Sequence, residues 1–107
     1  MERAKTVEQY VGFVDEILYE LYELRLAMEY DMDSMGGAMN FLEVLESQVK
    51  ELRNSMADGT YVFGDENLPF MDLVKNVDDR LLPFKHLFLM VNATHIEGLD
   101  IDDDEED

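Results

Sequence analysis

The chain contains no cysteine. Disulfides, thiolate metal sites and cysteine nucleophiles are thereby excluded, and the absence fits a reducing compartment, so a cytoplasmic location is expected. Long apolar runs are missing too. The longest, Leu87 to Val91, spans five residues, against the roughly 20 that a membrane-crossing helix needs. The opening Met1-Glu2-Arg3-Ala4-Lys5 leads into no apolar stretch of signal-peptide type, so neither a membrane span nor a leader is expected. Bases are scarce. Eight lysines and arginines stand against 26 acids, leaving a formal charge of −18 over 107 residues. A surface of that sign repels nucleic acid and anionic membrane, and it draws basic partners through its long-range field.

The patterns that carry most chemistry are also wanting. Gly36-Gly37 lacks the Lys-Ser/Thr that would follow in a phosphate loop. Ser34, Ser47 and Ser55 sit in no glycine-flanked elbow where a base and an orienting acid could activate them. Asp31-x-Asp33-x-x-Gly36 imitates the start of a calcium loop, but Met35 and Leu42 occupy the fifth and twelfth positions, where oxygen ligands are required. Neither His86 nor His95 is preceded by glutamate at the spacing used in carboxylate-bridged metal bundles; Pro83 and Asn92 stand there instead. Glu16, Glu20 and Glu23 share a helix face that a hard cation could exploit. A solvated acidic face accounts for them without one. The expectation is a protein without catalytic residues, cofactor or bound metal, and not an enzyme.

What the chain does contain is helical periodicity. Thr6 and Gln9 have the Thr-x-x-Gln spacing of a capping box. Behind them Val7, Tyr10, Val11, Val14, Ile17, Leu18, Leu21, Leu24 and Met28 recur at steps of three and four. At 100° per residue these cover an arc of roughly 140°, wider than a two-helix seam requires. Tyr19, Tyr22, Leu26 and Tyr30 are read as flanking that arc, with Glu16, Glu20 and Glu23 opposite. Asp31 to Gly37 is the expected turn. A heptad series of Met28, Met35, Leu42, Val49 and Met56 runs straight through it and keeps a single long helix as the alternative. The second helix carries Phe41, Leu42, Leu45, Val49, Leu52 and Met56, and Asp58-Gly59 ends it.

Thr60 to Phe63 reads as an extended connector, with Asn67 as a cap ahead of Leu68-Pro69. Phe70, Val74, Val77, Leu81, Phe84, Phe88 and Val91 then keep a helical spacing that Pro83 interrupts. Two helices are expected, or one kinked near Asp79 to Pro83, and Leu87 to Val91 should be buried. Its alternative is a strand paired with Tyr61 to Phe63. Residues 1–5 are expected to fray. The stretch from Glu97 to Asp107, with eight acids and no base, is expected to be a disordered tail. The predicted fold is all-α: an antiparallel helical hairpin plus a shorter, kinked carboxy-terminal helical element, a three- to four-helix bundle in residues 1–96 followed by an acidic tail in 97–107.

Two sets of side chains point towards a partner. Met28, Met32, Met35 and Met39 form one stripe, and thioethers line adaptable binding surfaces as well as filling cores. Copper(I) ligation by that stripe is the less economical reading. Tyr19, Tyr22 and Tyr30 suit an interface, being large, stiff and able to hydrogen-bond at one end, unless they only pack at the edge of the core. With Glu16, Glu20 and Glu23 these residues make the predicted partner-binding set. The function expected is a small acidic, non-catalytic protein–protein interaction module that engages a basic partner. The alternative is a DNA mimic that occupies a nucleic-acid-binding protein. The wide apolar arc of the first helix also predicts a homodimer.

Overall fold

The computed structural model of the chain describes residues 3–30, 36–77 and 82–100, without the side chains of Tyr30 and of residues 36–39. It is all-α. The elements are α1 (Val7–Tyr30), α2 (Gly36–Asp58), α3 (Met71–Asn76) and α4 (Lys85–Glu97), with no strand among the described residues. Helix α1 starts where the capping box places it. Thr6 Oγ1 accepts the Gln9 N–H at 3.0 Å, and Gln9 Oε1 reaches back to the Lys5 N–H at 2.7 Å, one residue beyond the expected Thr6 N–H. Helix α2 stops at Gly59, whose φ of +83° is a left-handed conformation that glycine adopts without steric cost. The Thr60 N–H then turns back to the Ser55 carbonyl at 3.0 Å and closes the helix end.

The two long helices are antiparallel. Asp15 of α1 receives Arg53 Nε from late in α2 at 2.7 Å, while Arg25, further along α1, lies 3.2 Å from Glu46 at the middle of α2, so that moving forward along one helix moves back along the other. In one continuous helix Asp15 and Arg53 would stand about 57 Å apart at 1.5 Å per residue, so the single-helix alternative is excluded. Gly36 and Gly37, assigned by sequence to the turn, lie in the first turn of α2. The remainder of the expected turn, residues 31–35, lies outside the described residues.

The core follows the periodicity. Tyr10, Val14, Ile17, Leu21 and Met28 of α1 are buried, as are Leu42, Leu45 and Val49 of α2 and Leu87, Phe88 and Val91 of α4. Each such side chain contributes roughly 1.5–3 kcal/mol on leaving water. Helix α1 packs against both α2 and α4, and α4 also packs against α3. Phe88 is central to the second contact, meeting Phe70 edge-on at 5.3 Å and Phe84 at 6.0 Å between ring centroids. The arc of α1 that was too wide for a two-helix seam therefore has two neighbours within the same chain.

Leu87 to Val91 is helical throughout, as its spacing predicts, and pairs with no strand. The carboxy-terminal element is two helices, the first of the two arrangements expected, with Pro83 in the turn before α4; residues 78–81 lie outside the described set. The expected cap is corrected. Asn67 caps nothing. Its Oδ1 accepts from Asn92 Nδ2 at 2.9 Å, and Asn92 Oδ1 takes the buried Leu68 N–H at 2.8 Å. A side chain of α4 thus satisfies the connector's backbone, and α3 begins without a side-chain cap.

The ends are fastened as well. Ala4 is fully buried, its N–H donating to Thr94 Oγ1 at 2.9 Å and its carbonyl accepting the Asp100 N–H at 2.8 Å. Arg3 lies over the carboxy-terminal end of α4, donating to the Glu97 and Gly98 carbonyls at 3.3 and 3.4 Å and pairing with Glu97 and Asp100. A cation there complements the negative end of the helix. Residues 3–5, expected to fray, are held by these bonds, and residues 97–100 of the predicted tail take part in them. Residues 101–107 of the predicted tail lie outside the described set.

Thr94 bridges the two ends, accepting from Ala4 and donating to the Met90 carbonyl at 2.8 Å. Thr94→Val leaves the buried Ala4 N–H without an acceptor, a loss expected to lower the unfolding free energy by about 1–3 kcal/mol in denaturant titration. An unchanged midpoint would show that the clasp contributes nothing.

Candidate functional site

The face of α1 turned away from the core is set by geometry. With Tyr10, Ile17, Leu21 and Met28 directed inward, the 100° step puts Tyr19 and Leu26 on the opposite side. Tyr19 is 60% exposed, Tyr22 47% and Leu26 41%. The tyrosines therefore do not flank the core edge, as the sequence reading had it; they stand outside it. Glu16 and Glu23 are exposed beside them, whereas Glu20 turns back towards the core and is half-buried. Met28 is 4% exposed and belongs to the core, so it is removed from the predicted partner-binding set. Met32 and Met35, and the side chains of Tyr30 and Met39, lie outside what the structure describes.

The local cations do little to neutralise this face. Arg25, the one base between Thr6 and Met35, is turned onto Glu46 and Glu29, with its guanidinium 5.7 Å from the centroid of the Tyr22 ring. The hydrogen bond that Arg25 donates to Glu46 leads the effects that raise the guanidinium pKa. Asp15 is taken up by Arg53. Glu16, Glu20 and Glu23 have no cation within ion-pair distance among the described residues. By contrast, Val44 is the only large apolar residue exposed on α2 among the described residues.

A second feature lies at the amino-terminal end of α1. A notch of about 140 Å³ is lined by Val7, Tyr10 and Val11 of α1, Met56 of α2, and Tyr61 and Phe63 of the connector. Its aromatic wall is rigidly built. The Tyr10 and Phe63 rings are nearly parallel at 5.8 Å, and Tyr61 meets both edge-on at 5.7 and 5.3 Å. Behind the rings runs a chain of hydrogen bonds. The Tyr10 and Tyr61 hydroxyls are hydrogen-bonded to each other at 2.6 Å, and the Tyr61 hydroxyl is hydrogen-bonded to His95 Nδ1 at 2.7 Å. Burial, reinforced by the bond to Tyr61, raises the Tyr10 pKa far above the ordinary phenol range; burial also raises Tyr61 and lowers His95. A nucleophile–base arrangement needs a hydroxyl that is easier to ionise. Here both are harder to ionise, and the chain holds the rings in place.

Sequence reasoning missed this chain. Tyr61 and His95 are 34 positions apart on elements of different type, and no periodic pattern links them. The readable signal was Gly64. The Gly64 N–H donates to the His95 carbonyl at 3.2 Å, and a Cβ on Gly64 would stand 2.8 Å from His95 Nε2. His86 is exposed. No group of three or more His, Asp or Glu is placed to hold a metal ion among the described residues. No described helix is long and apolar enough to cross a membrane.

Gly64→Ala is expected to displace the His95 ring, break its bond to Tyr61 and cost about 1 kcal/mol. Unaltered stability in chemical denaturation would mean that the close approach imposes no constraint. The lowered His95 pKa also fixes a pH dependence. The unfolded imidazole titrates near about 6.5, and the folded one below that because of burial. Between the two values the unfolded chain binds more protons, so this contribution is present above about 6.5 and lost as pH falls through the folded value. The stability of His95→Gln should therefore fall less steeply between pH 7 and 5 than that of the native chain; parallel curves would contradict the assignment. Comparison with protein-family models, with curated proteins and with solved structures finds no match for this chain.

Proposed function

We propose that the protein is a non-catalytic interaction module that engages a basic, partly apolar segment of another protein along the outer face of α1. The observation that supports this is the exposure of Tyr19, Tyr22 and Leu26 next to carboxylates without paired cations. Apolar anchors inside a charged border are the usual anatomy of a protein interface, with the anchors supplying affinity and the charges steering the encounter. A second copy of the chain is the other occupant to consider. Each copy carries −18, and bringing two such surfaces together sets like charges against each other. A cationic segment meets no such opposition.

The DNA-mimic alternative receives less support. It calls for a continuous band of carboxylates, and Glu8, Glu16, Glu20, Glu23 and Glu29 spread over about half the circumference of α1 at 100° per residue. Glu29 is also paired with Arg25.

The test is binding of a lysine-rich amphipathic peptide, followed by fluorescence anisotropy. The native chain should bind with an affinity that falls as salt is raised. The double variant Tyr19→Ser, Leu26→Ser should bind about tenfold more weakly through lost apolar contact. Its thermal unfolding should be unchanged, since both side chains are exposed. Peptide binding that ignores the double substitution would overturn the assignment of the face, and absence of binding would overturn the function.

A further inference from the structure

The notch at the amino-terminal end of α1 has a shape and a setting that the outer face lacks. It is concave, about 140 Å³ in volume, with valine and methionine on one side and three aromatic rings on the other. The rings are locked before anything enters, by edge and stacking contacts in front and by the Tyr10–Tyr61–His95 hydrogen bonds behind. A preformed apolar cavity spares an entering group the cost of ordering its walls. Two of the lining residues, Val7 and Phe63, are themselves exposed.

The surroundings are acidic. Glu8 follows Val7, Asp58 lies at the end of α2 one residue before Gly59, and Asp65 and Glu66 follow the connector; all four are exposed. The Thr60 N–H and hydroxyl both donate to Asp58, holding its carboxyl below the usual carboxylate range. The cations at this end, Arg3 and Lys5, are directed onto Asp100.

We infer that this notch is an anchor pocket for one leucine-sized apolar side chain carried by a lysine- or arginine-rich segment of a partner protein. The inference rests on the reading that the chain engages a basic segment, and it gives that reading a point of register. The cavity selects the anchor by shape and apolarity, and the exposed carboxylates next to its lining in the chain, Glu8 and Asp58, select the cations that flank the anchor. A tightly packed apolar anchor inside a polar rim is where binding energy concentrates in interfaces.

Two labelled peptides test it against the full chain: a lysine peptide with one central leucine, and the same peptide with alanine in that place. The leucine peptide should bind about tenfold more tightly, as the extra buried carbons require. Val7→Phe fills the notch from its exposed side, and Phe63→Ala removes one of its walls. Both variants should abolish the difference between the two peptides, and two substitutions guard against one that fails to fold. Equal affinities on the native chain would overturn the notch and leave the basic-segment reading intact. A leucine preference that survives in both variants would place the anchor elsewhere and overturn the notch as well. If neither peptide binds at low salt, the reading itself fails and the notch falls with it.

Discussion

The packing of α1 between α2 and α4 is the contact on which the rest of the structure depends. Helix α1 has apolar residues on more than one side, so whichever side is buried determines what is left outside. Tyr10, Val14, Ile17, Leu21 and Met28 turn inward and are covered by the two neighbours. Tyr19 and Leu26 then have nowhere to go but outward. The exposed face is a consequence of the core, and a rotation of α1 that hid Tyr19 would bring the adjacent glutamates towards the interior. Burying a carboxylate without a partner costs far more than leaving a tyrosine in water.

Charge is arranged to the same effect. Arg3, Lys5, Arg25 and Arg53 spend their charge within the molecule, clasping the termini or joining α1 to α2. Pairs of this exposed kind stabilise the fold by no more than about 1 kcal/mol each. Their larger effect is to leave the glutamates on the outside of α1 uncompensated. A chain with few bases that places four of them in internal pairs keeps nearly all of its negative field for its surroundings.

Much of this was legible in the sequence because helices repeat. The steps of three and four from Val7 to Met28 and from Phe41 to Met56 give both long helices, and Pro83 and Asp58-Gly59 mark where helices break. Features without a repeat were not legible. Asn92 and Thr94 look like interruptions of an apolar helix, yet they satisfy the backbone of Leu68 and Ala4, the latter 90 positions away. The Tyr10–Tyr61–His95 chain joins two helices and a connector, and only the close approach at Gly64 hinted at it. Whether Tyr19 and Tyr22 pack at the core edge or face outward was not legible, because a wide apolar arc does not by itself say where its centre lies; the centre is fixed by α2 and α4. The four methionines read as one stripe included Met28, whose thioether fills the core instead.

Chemical-shift mapping with a lysine-rich peptide examines the central claim most directly, because it separates a defined face from diffuse attraction to −18 charges. The account predicts perturbations concentrated at Tyr19, Tyr22, Leu26 and their neighbouring glutamates, together with the residues around Val7 and Phe63, at a salt concentration that suppresses the rest. Perturbations spread evenly over every exposed carboxylate, α2 included, and vanishing together with salt would contradict it.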